Sequence, residues 1–236
     1  PAPPPPAAAP ARRPAPPRTA GPRVVGYLSP DIRDHATMHL AGGLFAAHDR
    51  SRVRPMAFSV GPDDGSPWRE RVRAGCDGAF ADLSGLGDEA AARLIRDSGL
   101  DILVDLSVFT RHARPGIPAR RPAPLQMQWL GLAATSGAPW NDYAIVDPVL
   151  VPDSQRDQFS EALIRLPHGY QVNLPWSPPP PAPARAALGL PEDGVVFASF
   201  NGHRKLDRDS FALWLRVLAQ VPESVLWQLE PPPAAR

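Results

Sequence analysis

The chain has 236 residues, 43 % of them apolar, and its 25 Lys and Arg against 24 Asp and Glu leave a formal net charge of +1. That length supports one large or two small buried cores, and the balanced charge excludes the broad basic field that draws a protein to nucleic acid or an anionic membrane. Cys76 is the only cysteine, which excludes an intramolecular disulfide framework and a cysteine-rich zinc site and fits a reducing, cytoplasmic setting; no apolar run approaches the roughly 18 to 20 residues of a membrane helix.

Residues 1–22 are almost wholly Pro, Ala and Arg. Such a composition buries too little apolar surface to offset the entropy of ordering, so it reads as a disordered linker. Residues 23–29 then read as a strand, 37–47 as an amphipathic helix, 53–60 as a strand, and 88–97 as a second helix with Asp88 as its N-cap. Residues 101–107, 125–130, 142–146 and 162–166 read as further strands. A proline cluster over residues 174–191 separates two stretches of ordinary globular composition and reads as an interlobe linker. Beyond it, residues 195–200 predict a strand, 208–219 a helix and 224–229 a strand. This rhythm predicts an α/β protein of parallel, doubly wound sheets. The expected architecture is two Rossmann-like lobes, one over residues 23–173 and the start of a second over 192–236.

In open α/β sheets ligands bind beyond the carboxyl ends of the strands, so the residues that follow each strand are the ones to weigh. After the first strand come His35 and His39, four apart and so able to share a helix face, with Asp31 and Asp34 near enough to orient an imidazole. Structural, substrate-contacting and metal-binding roles all stay open there, although no third local metal ligand follows. Asp105 lies in a strand otherwise made of Ile102, Leu103, Val104 and Leu106 and needs a partner, whether backbone, Arg or substrate. Ser107 and Thr110 follow it. Residues 131–137 carry Thr135 and Ser136 between glycines and read as an ordinary turn or as a loop that lets amides approach a ligand. Asn201 and Lys205 follow the first strand of the second lobe. Lys205 is the only lysine of the chain, and its compact ammonium suits a phosphate, although a retained surface lysine reads the same way. Asp207 and Asp209 could hold a cation, but their place at the start of a helix favours capping. No Walker loop, Gly-x-Gly-x-x-Gly fingerprint or Gly-x-Ser-x-Gly elbow is present, which argues against kinases, dinucleotide oxidoreductases and serine hydrolases.

Several segments in order carry a resemblance: Val25-Gly-Tyr-Leu-Ser-Pro-Asp with His35 and His39, Asp63-Asp-Gly, Arg121-Pro-Ala-Pro-Leu-Gln, Trp129-Leu-Gly, Thr135-Ser-Gly, Asp142-Tyr, Gly189-Leu-Pro-Glu-Asp-Gly, Phe200-Asn and Ser224-Val-Leu-Trp. Together they resemble the catalytic region of the O-linked N-acetylglucosamine transferases. The resemblance implies a GT-B fold with the donor in the cleft, UDP-GlcNAc as donor, a protein Ser or Thr hydroxyl as acceptor, inversion at the anomeric carbon, and no metal or other cofactor. It implies His35 as the active-site histidine, serving as general base or acceptor-positioning group. It implies Lys205 on the donor diphosphate, with Asn201, Thr110, Asp105 and Thr135 as further substrate contacts, and tetratricopeptide repeats upstream that recruit acceptors.

The chain departs from that pattern at several places. Val108 and Phe109 stand where the resembled family usually has Gly followed by Tyr or His, and Leu132, Ala133 and Ala134 replace Tyr-Pro-Gly. Gly202 and His203 replace the residues that usually precede the lysine. The chain also reads as a fragment that stops before the family's Gly-His-Thr-Thr-type phosphate loop, so by itself it is expected to bind donor poorly. Two further readings follow: a degenerate or truncated relative acting as a non-catalytic binding module, and a GT-B enzyme using another donor or a glycan acceptor.

Overall fold

The computed structural model describes residues 21–173, 181–202 and 205–230. The disordered-linker reading of residues 1–20 and the start of the interlobe linker, residues 174–180, lie outside the described residues. The chain divides into two compact units, Pro1–Trp176 and Ser177–Arg236.

The first unit is a seven-stranded, fully parallel sheet in the order β3-β2-β1-β4-β5-β6-β7. Its strands are β1 (Arg23–Ser29), β2 (Val53–Ser59), β3 (Phe80–Asp82), β4 (Ile102–Asp105), β5 (Leu125–Gln128), β6 (Tyr143–Val146) and β7 (Ala162–Arg165). The inner strand β1 is apolar on both faces, as a parallel strand covered on both sides must be. Val25 and Tyr27 pack with Phe45, Trp68 and Val72 on one side; Leu28 packs with Phe58, Ala91, Ile95 and Leu103 on the other. Helices therefore cover both faces: α1 (Ala36–Ala41), α2 (Leu44–Ala47) and α3 (Pro67–Gly75) contribute to the first cluster, α4 (Asp88–Asp97) to the second. Gly26 allows this closeness, since a Cβ there would lie 2.8 Å from the Phe58 ring and 2.5 Å from Leu100.

The structure corrects three local readings. The single helix expected over residues 37–47 is two short ones separated by Gly42 and Gly43, poor helix residues that break the run. The N-cap of α4 is Gly87, because the carboxylate of Asp88 is taken by Arg114 Nε at 2.8 Å and is not available to the helix amides. Strand β3 and helix α3 were not anticipated. Three residues are too few for a period to show, and α3 has only Trp68 and Val72 as large buried apolar residues among four charged ones. Pro67 after Ser66 was nonetheless a helix-start signal.

The second unit contains β8 (Val196–Ser199), α5 (Arg208–Gln220) and β9 (Val225–Gln228), the two strands pairing in parallel. Asp207 caps α5, accepting from the Ser210 amide at 2.8 Å and its hydroxyl at 2.6 Å, which is the capping arrangement expected. Among the described residues no helix is long and apolar enough to cross a membrane.

One buried ion pair fixes the far side of the sheet. Arg121, 3 % exposed and left-handed at φ 47°, donates through Nη2 to both oxygens of Asp142 at 2.9 and 3.0 Å and through Nη1 to the Trp140 carbonyl. Asp142 in turn accepts from the Gln126 amide at 2.9 Å, so β5, β6 and the segment before β5 are tied at one point. Arg121→Met should destabilise the unit by about 3 kcal/mol, since it leaves the half-buried Asp142 carboxylate without its cation; thermal unfolding of wild type and variant measures this.

Candidate functional site

The order of assembly of the sheet reverses at β1: β2 and β3 are added on one side of it, β4 to β7 on the other. The carboxyl ends of β1 and β4 are therefore where a sheet of this kind leaves room for a ligand between diverging connections. Leu28 pairs with Asp105 across these strands, and the Leu106 amide donates to the Leu28 carbonyl at 3.0 Å. The loops carrying His35 and Thr110 thus start from neighbouring strand ends.

On the β1 side, the Asp31 amide donates to Ser29 Oγ at 3.0 Å, and Arg33 bonds Asp31 Oδ1 at 3.3 Å. His35 is the N-cap of α1: its Nδ1 accepts from the Thr37 amide at 3.2 Å and lies 3.1 Å from Thr37 Oγ1. Asp31 Oδ2 is 3.6 Å from the same nitrogen, too far for a hydrogen bond. With Nδ1 accepting an amide proton, the neutral ring carries its own proton on Nε2 and presents a donor there. His39 is a separate arrangement, its Nε2 bonded to Asp34 Oδ1 at 2.6 Å and its ring 4.4 Å from that of Trp68. The two histidines do not converge on one ligand, and among the described residues no cluster of three His, Cys, Asp or Glu could hold a metal.

On the β4 side, Asp105 is 5 % exposed and its Oδ1 accepts from the amides of Ser107 and Val108 at 2.9 and 3.0 Å. Burial pushes its carboxyl above the ordinary carboxylate range, and the two amides pull it only partway back. Thr110 closes the same turn, its amide donating to the Ser107 carbonyl at 3.0 Å. Val108, buried and β-branched, is held at φ 57°, a conformation that costs about 1–2 kcal/mol for a residue with a Cβ. Phe109 beside it is half exposed, and the Ser107 hydroxyl is buried without a partner among the described residues.

The end of β5 adds a third wall. Trp129 donates its amide to the Asp105 carbonyl at 3.0 Å, Leu130 is left-handed at φ 71°, and a Cβ on Gly131 would lie 3.0 Å from Ser107 Cα. Strained backbone at two adjacent strand ends is the pattern expected where a loop is shaped for a ligand rather than for stability. Thr135 lies farther along this connection, and its hydroxyl is engaged internally: it donates to Glu161 Oε2 at 2.7 Å and accepts from the Gly137 amide. Glu161, 1 % exposed, also accepts from the Ser136 amide and hydroxyl and from Ser160 Oγ. Burial raises its carboxyl, but the bonds from Ser136 and Thr135 outweigh that and hold it below its usual range. Nothing in the sequence marked Glu161, whose principal partners are 25 residues away.

In the second unit Asn201 and Lys205 are both exposed and follow β8. The Lys205 amide donates to the Gly202 carbonyl at 2.9 Å, and its ammonium forms no ion pair with another described residue. Asn201 borders a cavity of about 370 Å³ lined by Phe197, Ser199, Trp214, Leu218 and Leu226. His203 lies outside the described residues. The structure therefore places His35 on the loop after β1, Asp105 and Thr110 at the end of β4 beside it, Asn201 and Lys205 after β8 in the other unit, and Thr135 on the Glu161 carboxylate.

The family model for glycosyl transferase family 41 matches residues 13–174 and 181–235. A probable UDP-N-acetylglucosamine–peptide N-acetylglucosaminyltransferase, SEC of Arabidopsis thaliana, is 35 % identical over 216 residues, 89 % of this chain and 22 % of that protein. A UDP-N-acetylglucosamine–peptide N-acetylglucosaminyltransferase of Caenorhabditis elegans is 37 % identical over 149 residues, 63 % of this chain and 13 % of that one. A solved mutant of the Thermobaculum terrenum O-GlcNAc transferase superposes with a TM-score of 0.76 at 31 % identity, covering 89 % of this chain and 39 % of the other. The chain thus spans less than a quarter of the curated relatives' length.

The geometry sets two expectations. Val108→Gly should change stability by less than about 1 kcal/mol, because relief of left-handed strain offsets most of the lost side-chain burial; a loss of several kcal/mol by denaturant unfolding would show that the turn is unstrained. Glu161 is depressed when folded, so its contribution is present above its ordinary value of 4.5 and is lost as pH falls through the lower folded value. The stability gap between wild type and Glu161→Gln should therefore be widest near neutrality and narrow in acid, as thermal melts across that range would record.

Proposed function

Because the chain belongs to glycosyl transferase family 41, we propose that the protein transfers N-acetylglucosamine from UDP-GlcNAc to Ser or Thr hydroxyls of protein acceptors, with inversion and without a metal. The observation that carries this reading within the chain is the switch point, where the paired strands β1 and β4 lead into a loop with a histidine of committed Nδ1 and a strained turn on a buried carboxylate. His35 acts there as a hydrogen-bond donor through Nε2–H and orients the acceptor hydroxyl. Asp105 shapes the turn that carries Thr110 to the sugar. Lys205 offsets the charge that develops on the leaving diphosphate, with Asn201 beside it on the nucleotide.

Residues 23–173 and 192–236 serve as the two lobes, with 174–191 as the linker between them and 1–22 leading in from tetratricopeptide repeats that recruit acceptors in the cytoplasm. A second reading draws on Val108 and Phe109: a buried valine and a half-exposed phenylalanine at the sugar end suit a relative that binds a partner without turnover.

Two variants of the full-length protein separate these readings. Lys205→Ala should weaken UDP binding in calorimetric titration by about tenfold or more, the worth of a charge-assisted contact; equal affinity in both proteins would remove the diphosphate role. His35→Ala should lower turnover by about a hundredfold, and should cost about 1 kcal/mol of stability through the lost cap. UDP affinity should not change. Turnover that survives the substitution would contradict the assignment.

A further inference from the structure

The connection from β5 to β6 contains no helix, and it starts beside the Asp105 turn, whose Asp105 carbonyl accepts from the Trp129 amide at 3.0 Å. Its first part is fixed where Leu130 turns left-handed and Gly131 packs on Ser107. Its second part is fixed by one carboxylate. Glu161 collects the Thr135 hydroxyl, the Ser136 amide and hydroxyl, and the Ser160 hydroxyl, while Asn141 Nδ2 bonds Ser136 Oγ at 3.1 Å and Gln128 Nε2 holds the Ala134 carbonyl at 2.8 Å. No cation pairs with Glu161 among the described residues. A buried carboxylate without a cation is costly, and hydrogen bonds from both loops are what compensate it. Leu132 and Ala133 lie between these two anchors. With the Thr135 and Ser136 hydroxyls engaged by Glu161, residues 130–134 are the part of this connection left to face a ligand beside the Asp105 turn.

We propose that Glu161 is a positioning residue for the sugar half of the donor site, holding the 130–134 wall at its working distance from the Asp105 turn through Thr135 and Ser136. The proposal rests on the transferase reading. It goes beyond it by giving a donor-specificity role to a residue that touches no substrate.

The test is calorimetric titration of UDP and of UDP-GlcNAc into the full-length protein, as wild type and as Glu161→Gln, which preserves volume but replaces one acceptor oxygen by a donor. The expected result is UDP affinity unchanged within about twofold and UDP-GlcNAc weakened about tenfold or more, so that the sugar's share of the affinity is lost selectively. Equal weakening of both ligands, or of neither, overturns the proposal while the transferase reading stands. Wild type that binds neither ligand overturns that reading and the proposal with it. Should Glu161→Gln not fold, Ser136→Ala removes one donor and leaves the carboxylate three; it should show the same selectivity with a loss of about threefold, and equal affinities there overturn the proposal as well.

Discussion

The pairing of β1 with β4 is the contact on which the rest of the first unit depends. It places two strands from opposite halves of the sheet side by side, Leu28 against Asp105, and so makes their connections diverge from a common point. A parallel strand covered on both faces has no freedom to slide, because a one-residue slip would exchange Val25 and Tyr27 for Gly26 and Leu28 in the wrong cores. The register of the loops that follow β1 and β4 is therefore inherited from the packing of the apolar residues.

Around that rigid centre, single carboxylates organise the irregular segments. Asp105 gathers two amides of its own turn, Asp142 binds Arg121 and the Gln126 amide, and Asp147 accepts from Val149, Leu150 and Tyr170. Amide donors stabilise the charged form, and for Asp147 they hold the carboxyl below its ordinary range, the Leu150 amide most of all. Asp105 is the exception: at 5 % exposure burial outweighs its two amides. A carboxylate whose proton affinity is raised at a strand end is the kind of group that sites use and stable scaffolds avoid.

Much of the fold was legible because apolar periods and strand ends are local. The strand at Arg23–Ser29 and the helix at Asp88–Asp97 needed only their own residues. Phe80–Asp82 was too short to have a period, and Asp88 was misassigned as a cap because Arg114, 26 residues on, competes for it. The same limit applies to the site. Of the proposed site residues, His35, Asp105 and Thr110 are singled out by their place at strand ends, and Lys205 by its rarity. The engagement of Thr135 by Glu161 and the left-handed backbone of Val108 and Leu130 depend on contacts between distant segments and have no signature in the residues themselves.

The proposed function gives these strand ends a sugar-transfer reaction, and product identity reports that reaction most directly. The decisive measurement is mass spectrometry of a Ser- and Thr-containing acceptor protein after incubation with the full-length protein and UDP-GlcNAc in the presence of a metal chelator. The predicted result is acceptor carrying N-acetylhexosamine on a hydroxyl, with one UDP released for each sugar added. Unmodified acceptor, with the donor either intact or merely hydrolysed, would contradict it.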